Sequence, residues 1–453
     1  YFYIHGDSSA TGDITINGVI SSTNTNGRLY KYVTGTSLTL TASNTYTGYT
    51  YLEQGILELQ NGDALGDTTQ GIYVRNGASL HLSNNISVGT EPIELKGTGV
   101  GGLGALRNLS GNNSWAGTIV TSSNDVNIFS DAGELTLSGQ LTLNKKTSIG
   151  GTSSITTTGL IAGSQALHKE GSGTYTISGA RANGITYISS GTLALGADNV
   201  MPDSSAVYFD GGTLFSNGYS DSLGEFNLPD SSSVLLGTGS HTLVFSSTAA
   251  LQDYKKLSIY GWQGTYGATS DEGPSTATAG KLKFSAMELG YKIDQLRFYN
   301  DSNTEYYGLQ LDDGTYEVVP GLSVADNLTG HSNIIITGSA TSGGSWSDSS
   351  PWVFTPSSDN ANLLYTELRD KLNSGSVTIS SANVSGTQGG SVILDWGTSV
   401  LSSKNTSISS RTFTINAPGS ITQNSPINLY TDNNNIDGIT MYPSIDLFYN
   451  SGE

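Results

Sequence analysis

The sequence predicts an all-β protein in which repeated strand units stack into an elongated parallel solenoid. Apolar and polar residues alternate with a period of two in short runs along most of the chain, which is typical of half-buried strands. The stretch Thr174–Leu195 also repeats, in similar form, the earlier stretch Ser37–Leu59. Because a single unit of this size cannot cover its own apolar face, its repetition indicates that neighbouring units stack on one another.

Each copy of the repeat predicts a strand, a turn, a strand, a second turn and a third strand. Gly55 and Gly191 stand 136 positions apart, and the same offset aligns Tyr51 with Tyr187. Glycine at this place supplies a turn conformation that side chains with a Cβ resist. Because strand side chains alternate between faces, Tyr51 is expected to face water. Glu58 is expected to face water with Tyr51. The residues expected to enter the core are Thr50, Leu52, Leu57 and Leu59.

These residues resemble a known repeat. The pattern Asn-Thr-Tyr-Thr-Gly at 44–48, followed by Gly55 and alternating leucines, is similar to the passenger-associated repeat of bacterial autotransporter and related surface proteins. We find the resemblance over 37–83 and 166–322, with two clear copies. It implies a right-handed parallel β-helix displayed on or outside a bacterial cell, and it implies no particular activity.

The pattern of elements divides the chain into three predicted parts. Segment 1–165 is a β-solenoid with the first copy, and segment 166–335 is a β-solenoid with the second copy. Segment 336–453 begins with a Ser-, Gly- and Asp-rich linker, continues with an amphipathic helix over Asn362–Asn373 and ends in a β segment. That last segment is expected to be either more solenoid or a small sandwich.

Composition limits the classes of function. Charged residues make up 13% of the chain and the net charge is −19, so binding to nucleic acid or to an anionic membrane surface is not expected. The absence of cysteine suits a chain that crosses membranes unfolded, although chance depletion explains it equally well. No apolar run is long enough for membrane insertion. Because Tyr1 opens the chain with no signal-peptide pattern, we expect a processed product or a fragment of a longer protein.

The motifs that could carry chemistry favour structural explanations, and we expect no cofactor, metal or catalytic residue. Gly97–Gly104 is followed by a β-like sequence and not by the helix that a phosphate-binding loop requires. Asp312-Asp313 precedes Gly314 and fits a solvated turn. Asn433-x-Asn435-x-Asp437-Gly438 imitates the start of a calcium loop but has Ser444 where glutamate should stand. The five histidines are scattered without metal-ligand spacing, namely His5, His81, His168, His241 and His331.

Tyrosines are the remaining candidates for a contact surface. Tyr49, Tyr51 and Tyr187 are predicted to lie on an outer face, together with Tyr46 and Tyr175. They could stack on sugar rings, as amphipathic aromatics do at contact surfaces. The alternative, which we favour, is that tyrosines of neighbouring rungs stack on one another.

The sequence as a whole predicts a non-enzymatic extracellular structural or adhesive solenoid, either a surface adhesin or a fibre subunit. The alternative is a carbohydrate-active β-helix enzyme that acts on polysaccharide. Partners would be a second copy of the chain and surface glycans or a host or neighbouring cell surface. The apolar residues Tyr1, Phe2, Tyr3 and Ile4 are predicted to pair head to tail with the carboxy-terminal region of another copy, unless a longer precursor supplies the neighbouring rung.

Overall fold

The protein is all-β, and its stacked parallel strands form a β-solenoid of about 14 turns, with separate sheet structure at the carboxy-terminal end. This confirms the predicted fold class. The computed structural model describes residues 2–5, 12–24, 26–251, 255–268, 275–284, 293, 295–311, 314–323, 334–337, 341–342, 344–348, 352–357, 361–364, 367–368, 370–371, 377–380, 392–395, 411–416, 421–423 and 436–442. No helix among these residues is both long and apolar enough to cross a membrane.

The solenoid consists of three parallel ladders, which we name A, B and C. Ladder A contains Phe2–Ile4, Leu29–Lys31, Thr50–Leu52, Ile72–Val74, Ile93–Leu95, Ile119–Thr121, Leu141–Leu143 and Ile161–Gly163. Ladder B contains Ile14–Ile16, Ser37–Leu40, Gly55–Leu59, Ala78–Leu82, Leu106–Asn108, Val126–Ser130, Thr147–Gly151, Leu167–Glu170, Thr186–Ile188, Val207–Asp210, Asp221–Asp230, His241–Leu251 and Gly280–Phe284. Ladder C contains Ser87–Val88, Asn113–Trp115, Glu134–Leu137, Ser154–Thr157, Thr174–Ile177, Thr192–Leu195, Thr213–Phe215, Ser232–Leu235, Leu257–Tyr260 and Leu296–Tyr299.

The cross-section of the solenoid changes along its axis. Ladder C begins only at Ser87–Val88, and ladder A ends at Ile161–Gly163, beyond which Ile161 forms a single bridge with Arg181. Among the described residues, all three ladders therefore run together only in the middle rungs. Ladder A ends at Ile161–Gly163, just before the predicted boundary at 165/166. Ladder B continues through that boundary, since Thr147–Gly151 pairs with Leu167–Glu170. The division of the chain into three parts stays a prediction.

Inward side chains of all three ladders form one continuous core. Strands with the alternating sequence bury every second residue, as in Gly55–Leu59, where Leu57 and Leu59 are fully buried and Ile56 and Glu58 are half-buried. Leucine and isoleucine fill most inward positions. In the later rungs of ladder B phenylalanines replace them and pack with ring centroids 5.0 to 5.8 Å apart, namely Phe209, Phe226, Phe245 and Phe284. The larger rings fill the core where ladder A no longer contributes side chains.

Both repeat copies form the predicted three strands. In each copy the first and third strands stack directly on one another, as Ser37–Leu40 does on Gly55–Leu59 and Thr174–Ile177 on Thr192–Leu195. The two copies nevertheless lie on different faces. The first copy places its middle strand on ladder A and its outer strands on ladder B, whereas the second uses ladders B and C. The number of strands between the copies decides this, and the repeat itself does not encode it.

A buried lysine precedes each copy and was not predicted. Lys31 and Lys169 are fully buried. The Lys169 ammonium donates to the carbonyls of Glu170, Gly171 and Ser190 at 2.9, 2.8 and 2.9 Å, and Lys31 donates to the Val33 carbonyl at 2.5 Å and to the Thr36 hydroxyl at 3.0 Å. Burial lowers the pKa of each lysine to about 8. Each ammonium thus donates to acceptors in the turn that follows its strand, which offsets the cost of burying the charge.

A glycine lies against each lysine. Gly191 has φ +62°, and a Cβ there would stand 2.3 Å from the Gly171 carbonyl oxygen and 2.7 Å from the Lys169 ammonium. Gly55 has φ +74° and the same environment around Lys31. The predicted turn role of both glycines is therefore confirmed, and close approach of the lysine is a second reason for their presence.

An antiparallel hairpin closes the carboxy-terminal end of ladders B and C. Its strands are Glu305–Gln310 and Glu317–Ser323. The first pairs with Leu296–Tyr299 of ladder C and the second with Gly280–Phe284 of ladder B, while the two also pair with each other. The hairpin thus supplies partners for the last parallel strand of both ladders, which would otherwise present an open edge.

The remaining strands form two smaller sheets. One contains Ile334–Thr337, Ala361–Leu364, Val392–Asp395 and Ile421–Gln423, and the other contains Gly344–Trp346, Trp352–Pro356, Val377–Ser380, Arg411–Asn416 and Ile436–Tyr442. From Ala361 onward successive strands alternate between the sheets and pair in parallel. Parallel alternation is typical of a solenoid, whereas a sandwich pairs its strands antiparallel.

The predicted helix over Asn362–Asn373 is wrong in its amino-terminal part. Ala361–Leu364 is a strand that pairs with Ile334–Thr337 and buries Leu363 fully. Helical conformation occurs at 367–368 and 370–371, where Leu368 is fully buried. Leucines at a spacing of four fit a helix, but pairing with a neighbouring strand overrides that local preference.

Candidate functional site

A row of tyrosines lies along the outer face of the first rungs of ladder A. Parallel, in-register pairing brings Tyr3, Tyr30, Tyr51 and Tyr73 side by side. Successive rings stack at centroid distances of 5.0, 4.7 and 5.2 Å with interplanar angles of 17°, 6° and 15°. We call these four residues the tyrosine row. The spacing follows from the ~4.8 Å between neighbouring strands, which is also a stacking distance for rings.

Further aromatic residues widen this surface. The Tyr49 ring lies tilted against Tyr51 and Tyr73 at 6.0 and 5.3 Å. On the opposite side, His5 stacks on Tyr32 at 5.0 Å. Tyr3 is 49% exposed at the amino-terminal end of the row, and the remaining tyrosines are half-buried. Burial raises the pKa of Tyr73, with the neighbouring Tyr49 and Tyr51 adding to the effect.

A second aromatic row lies on ladder B, a different face of the solenoid. His168, Tyr187 and Tyr208 stack at 4.3 and 4.6 Å on consecutive rungs. Tyr187 therefore does not join Tyr49 and Tyr51 in one surface, although all three were predicted contact residues. Burial raises the pKa of Tyr187, and burial lowers the pKa of His168. The separation follows from the different faces that the two repeat copies occupy.

The stacking favours the second interpretation, in which tyrosines of neighbouring rungs stack on one another. Interior rings such as Tyr51 and Tyr187 contact neighbouring rings through both faces and present their edges and hydroxyls, whereas the ring at each end of a row has one such neighbour. Tyr46 and Tyr175 do not lie on the surface at all. Tyr46 is 2% exposed with its hydroxyl 2.6 Å from that of Thr50, and Tyr175 is fully buried with its hydroxyl 3.0 Å from that of Thr157. Burial raises the pKa of both.

A charged cluster on the outer face of ladder B was not predicted. Glu58, His81 and Arg107 occupy three consecutive rungs in register. Arg107 donates to one Asp131 oxygen through Nε at 2.9 Å and forms an ion pair with it through Nη2 at 2.6 Å. One Glu58 oxygen accepts from the Ser83 hydroxyl at 2.6 Å. We call Glu58, His81, Arg107 and Asp131 the His81 cluster.

His81 is the buried residue of this cluster, with 5% of its surface exposed. Burial, followed by the nearby Arg107 charge, lowers its pKa to about 4. The imidazole is therefore neutral at pH 7. Rung-to-rung register brings these residues together from positions more than 20 apart in sequence, so no local motif could reveal them.

The other candidates from the sequence occupy ordinary structural positions or lie outside the described residues. Gly97–Gly104 forms a turn held by Ser79, whose hydroxyl accepts from the Val100 amide at 2.8 Å and donates to the Gly104 carbonyl at 2.7 Å. It leads into the strand Leu106–Asn108. Asp312-Asp313 and His331 lie outside the described residues, as do Asn433, Asn435 and Ser444.

The calcium-like pattern is contradicted by the backbone. Asp437 and Gly438 lie within the strand Ile436–Tyr442, whereas a calcium loop needs both in a turn. Within the described ranges, no three His, Asp or Glu side chains are grouped as metal ligands. His5, His168 and His241 instead make hydrogen bonds or ring contacts with residues of their own or neighbouring rungs. His241, for example, has Nε2 2.7 Å from the Ser216 hydroxyl and Nδ1 2.8 Å from the Gly239 carbonyl oxygen.

The predicted assembly contact lies at the start of ladder A. Phe2–Ile4 is the edge strand of that ladder and pairs with Leu29–Lys31. Ile4 enters the core with 8% exposure, whereas Phe2 is 40% exposed. Tyr1 lies outside the described residues.

Comparisons with protein-family models, with curated proteins and with solved structures found no match for this chain. The resemblance to autotransporter passenger repeats accordingly stays a prediction from the sequence.

Proposed function

We propose that this protein is a non-enzymatic extracellular solenoid that serves as a structural and adhesive scaffold on a bacterial surface. The observation that carries the proposal is the outer surface of the solenoid, where in-register rungs repeat the same uncharged side-chain types, as in the tyrosine row and in the row of His168, Tyr187 and Tyr208. A rigid surface with a fixed period suits repeated weak contacts, which reach high avidity when many form together.

The low content of charged residues supports binding through uncharged polar contacts and not through ion pairs. The net charge of −19 with 13% charged residues leaves long polar but uncharged stretches on the ladders. The passenger-like repeat supports an extracellular location.

Adhesion of cells tests this proposal. We expect latex beads coated with the purified protein to bind bacterial or host cells, and we expect beads coated with heat-unfolded protein to bind several-fold fewer. Beads that bind no better than albumin-coated beads on any cell type tested would contradict the adhesive function.

End-to-end assembly is a second part of the proposal, and the edge position of Phe2–Ile4 favours it. An edge strand is a template for a further strand, which could come from the carboxy-terminal region of another copy or from a preceding segment of the same chain. Electron microscopy at increasing protein concentration separates these cases. Fibres that lengthen with concentration, and that deletion of residues 1–7 abolishes because it removes the edge strand, support assembly, and particles of constant length refute it.

The alternative function, a carbohydrate-active enzyme, is favoured by one observation, which is that the His81 cluster places carboxylates, an imidazole and a guanidinium on neighbouring rungs. The imidazole of His81, which is 5% exposed, fits a structural role better. Release of reducing sugars from neutral and acidic polysaccharides, lost in His81→Ala and retained in His5→Ala, would establish the enzyme and overturn the non-enzymatic proposal.

A further inference from the structure

Three consecutive rungs of ladder C turn hydroxyl groups outward at nearly every position. The strands Glu134–Leu137, Ser154–Thr157 and Thr174–Ile177 bury alternate residues. The outward residues, extended by one position beyond each strand, are half-buried or exposed. We call the following residues the hydroxyl array: Thr136, Ser138, Ser154, Thr156, Thr158, Thr174, Thr176 and Ser178.

Register gives the array a regular lattice. Thr136 pairs with Thr156, and Thr156 pairs with Thr176. Neighbouring rungs are ~4.8 Å apart, and alternate residues along one strand are about 6.6 Å apart. The side chains therefore form a grid of three columns and three rungs, in which Glu134 takes the one place without a hydroxyl.

The hydroxyls of the array are available to a ligand. Thr156 donates to a Glu134 carboxylate oxygen at 2.6 Å. In the part of the chain that the structure describes, no hydrogen bond involves the hydroxyls of the other seven members. Neighbouring turn residues differ, because the hydroxyls of Thr152 and Ser153 donate to the carbonyls of Asp131 and Gly133 at 2.8 and 2.5 Å. The array thus combines fixed side-chain positions with unused donors and acceptors.

The chemistry of the surface selects the class of ligand. The array has no aromatic or aliphatic anchor of the kind that dominates the centre of protein interfaces. It has no cation, and the chain carries a net charge of −19, which repels acidic polymers. A polymer that is neutral, extended and rich in hydroxyls remains as the partner that this surface complements.

We propose that the hydroxyl array binds an extended neutral polysaccharide that runs along the solenoid axis, with sugar hydroxyls exchanging hydrogen bonds with successive rungs. The inference rests on the proposed adhesive function and assigns it to one surface. Each contact is weak, and affinity accumulates with the number of rungs engaged.

The test compares two triple variants by affinity electrophoresis in gels that contain mixed-linkage β-glucan, galactomannan or polygalacturonate. Thr136→Val, Thr158→Val and Thr176→Val together remove three array hydroxyls while they keep the branched shape that strands favour. The matched control changes exposed threonines elsewhere on the surface, namely Thr15→Val, Thr90→Val and Thr118→Val. Circular dichroism and melting temperature verify that both variants fold.

We expect at least one neutral polysaccharide to retard the wild type, the array variant to bind it at least tenfold more weakly, and the control to bind as the wild type does. Polygalacturonate should not retard any of them. Equal retardation of the array variant and the wild type would show that the array is not the binding site. Failure of both neutral polysaccharides to retard the wild type would overturn the proposal as well. In either case, cell adhesion in the bead assay shows separately whether the adhesive function holds. An array variant that changes only self-association overturns the polysaccharide in favour of a second copy.

Discussion

Single residues at the corners of the solenoid carry the least expected chemistry. The Asp221 carboxylate is 2% exposed, and one of its oxygens accepts from the amides of Val200 and Met201 at 2.9 and 3.0 Å. Its other oxygen has no hydrogen-bond partner among the described residues. At an earlier corner the uncharged side chain of Asn113 has the same role, since its Oδ1 accepts from the backbone N–H of Ile86 at 2.7 Å. An acid at this corner therefore makes stability depend on pH.

We predict that Asp221→Asn removes a decline of stability between about pH 4 and pH 7. Burial raises the pKa of Asp221 from 3.8 to about 7. The folded state then binds more protons than the unfolded state within that window, so the free energy of unfolding falls as the pH rises through it. The difference between variant and wild type should grow by up to about 4 kcal/mol from pH 4 to pH 8.

Urea unfolding at several pH values measures this difference. Other titrating groups, such as His81, are common to both proteins and cancel. The exposed Asp301→Asn serves as the control for the removal of one carboxylate. A difference between Asp221→Asn and the wild type that does not change with pH would show that Asp221 does not carry the dependence.

At the scale of the element, the aromatic rows act as side-chain ladders that reinforce the backbone ladders. Each interior ring has two stacked neighbours, and each terminal ring has one. In the ladder B row, Tyr187 lies between His168 and Tyr208 at 4.3 and 4.6 Å. Since stacked pairs contribute about 0.5–1.5 kcal/mol each beyond burial, position within the row should decide the cost of removal.

We predict that Tyr187→Ser lowers the free energy of unfolding by about 1–3 kcal/mol through its two lost contacts, and that Tyr208→Ser lowers it by about half as much. Chemical denaturation of both variants measures this. The double variant should cost less than the sum of the two, because the contact between Tyr187 and Tyr208 is lost only once. Equal costs for the two single variants would mean that the rows are not energetic ladders.

At the scale of the whole molecule, the solenoid is quasi-one-dimensional, because each rung contacts only its neighbours. The middle rungs, such as Leu141–Leu143 and Ser154–Thr157, lie where all three ladders run together. The carboxy-terminal end of ladders B and C is closed by the hairpin, whereas the described residues of the first rungs contribute strands to ladders A and B alone. Stability should therefore vary along the axis.

We predict that backbone amides of the middle rungs exchange with deuterium at least tenfold more slowly than those of Phe2–Ile4 and Ile14–Ile16. Amides there open only when rungs on both sides also open. Hydrogen exchange with mass spectrometry of the full chain measures this. The hairpin Glu305–Gln310 provides an internal comparison at the other end, and uniform protection along the axis would contradict the one-dimensional description.

The sequence by itself determined the all-β class, the stacking of repeats and the inward and outward sides of each strand. It could do so because strand periodicity and turn glycines act locally, as the fully buried Leu57 and the positive φ of Gly191 demonstrate. It also placed Tyr51 and Tyr187 on the surface.

Only the tertiary structure decided which face each strand joins. Register and the number of strands per rung depend on the whole chain, so they placed Tyr187 on a different ladder from Tyr51 and buried Tyr175 beside Thr157. They also assembled the His81 cluster and the hydroxyl array from residues that lie about one rung apart in sequence. Strand pairing likewise took Ala361–Leu364 away from the predicted helix, because long-range hydrogen bonds outweigh a local preference of a few tenths of a kcal/mol per residue.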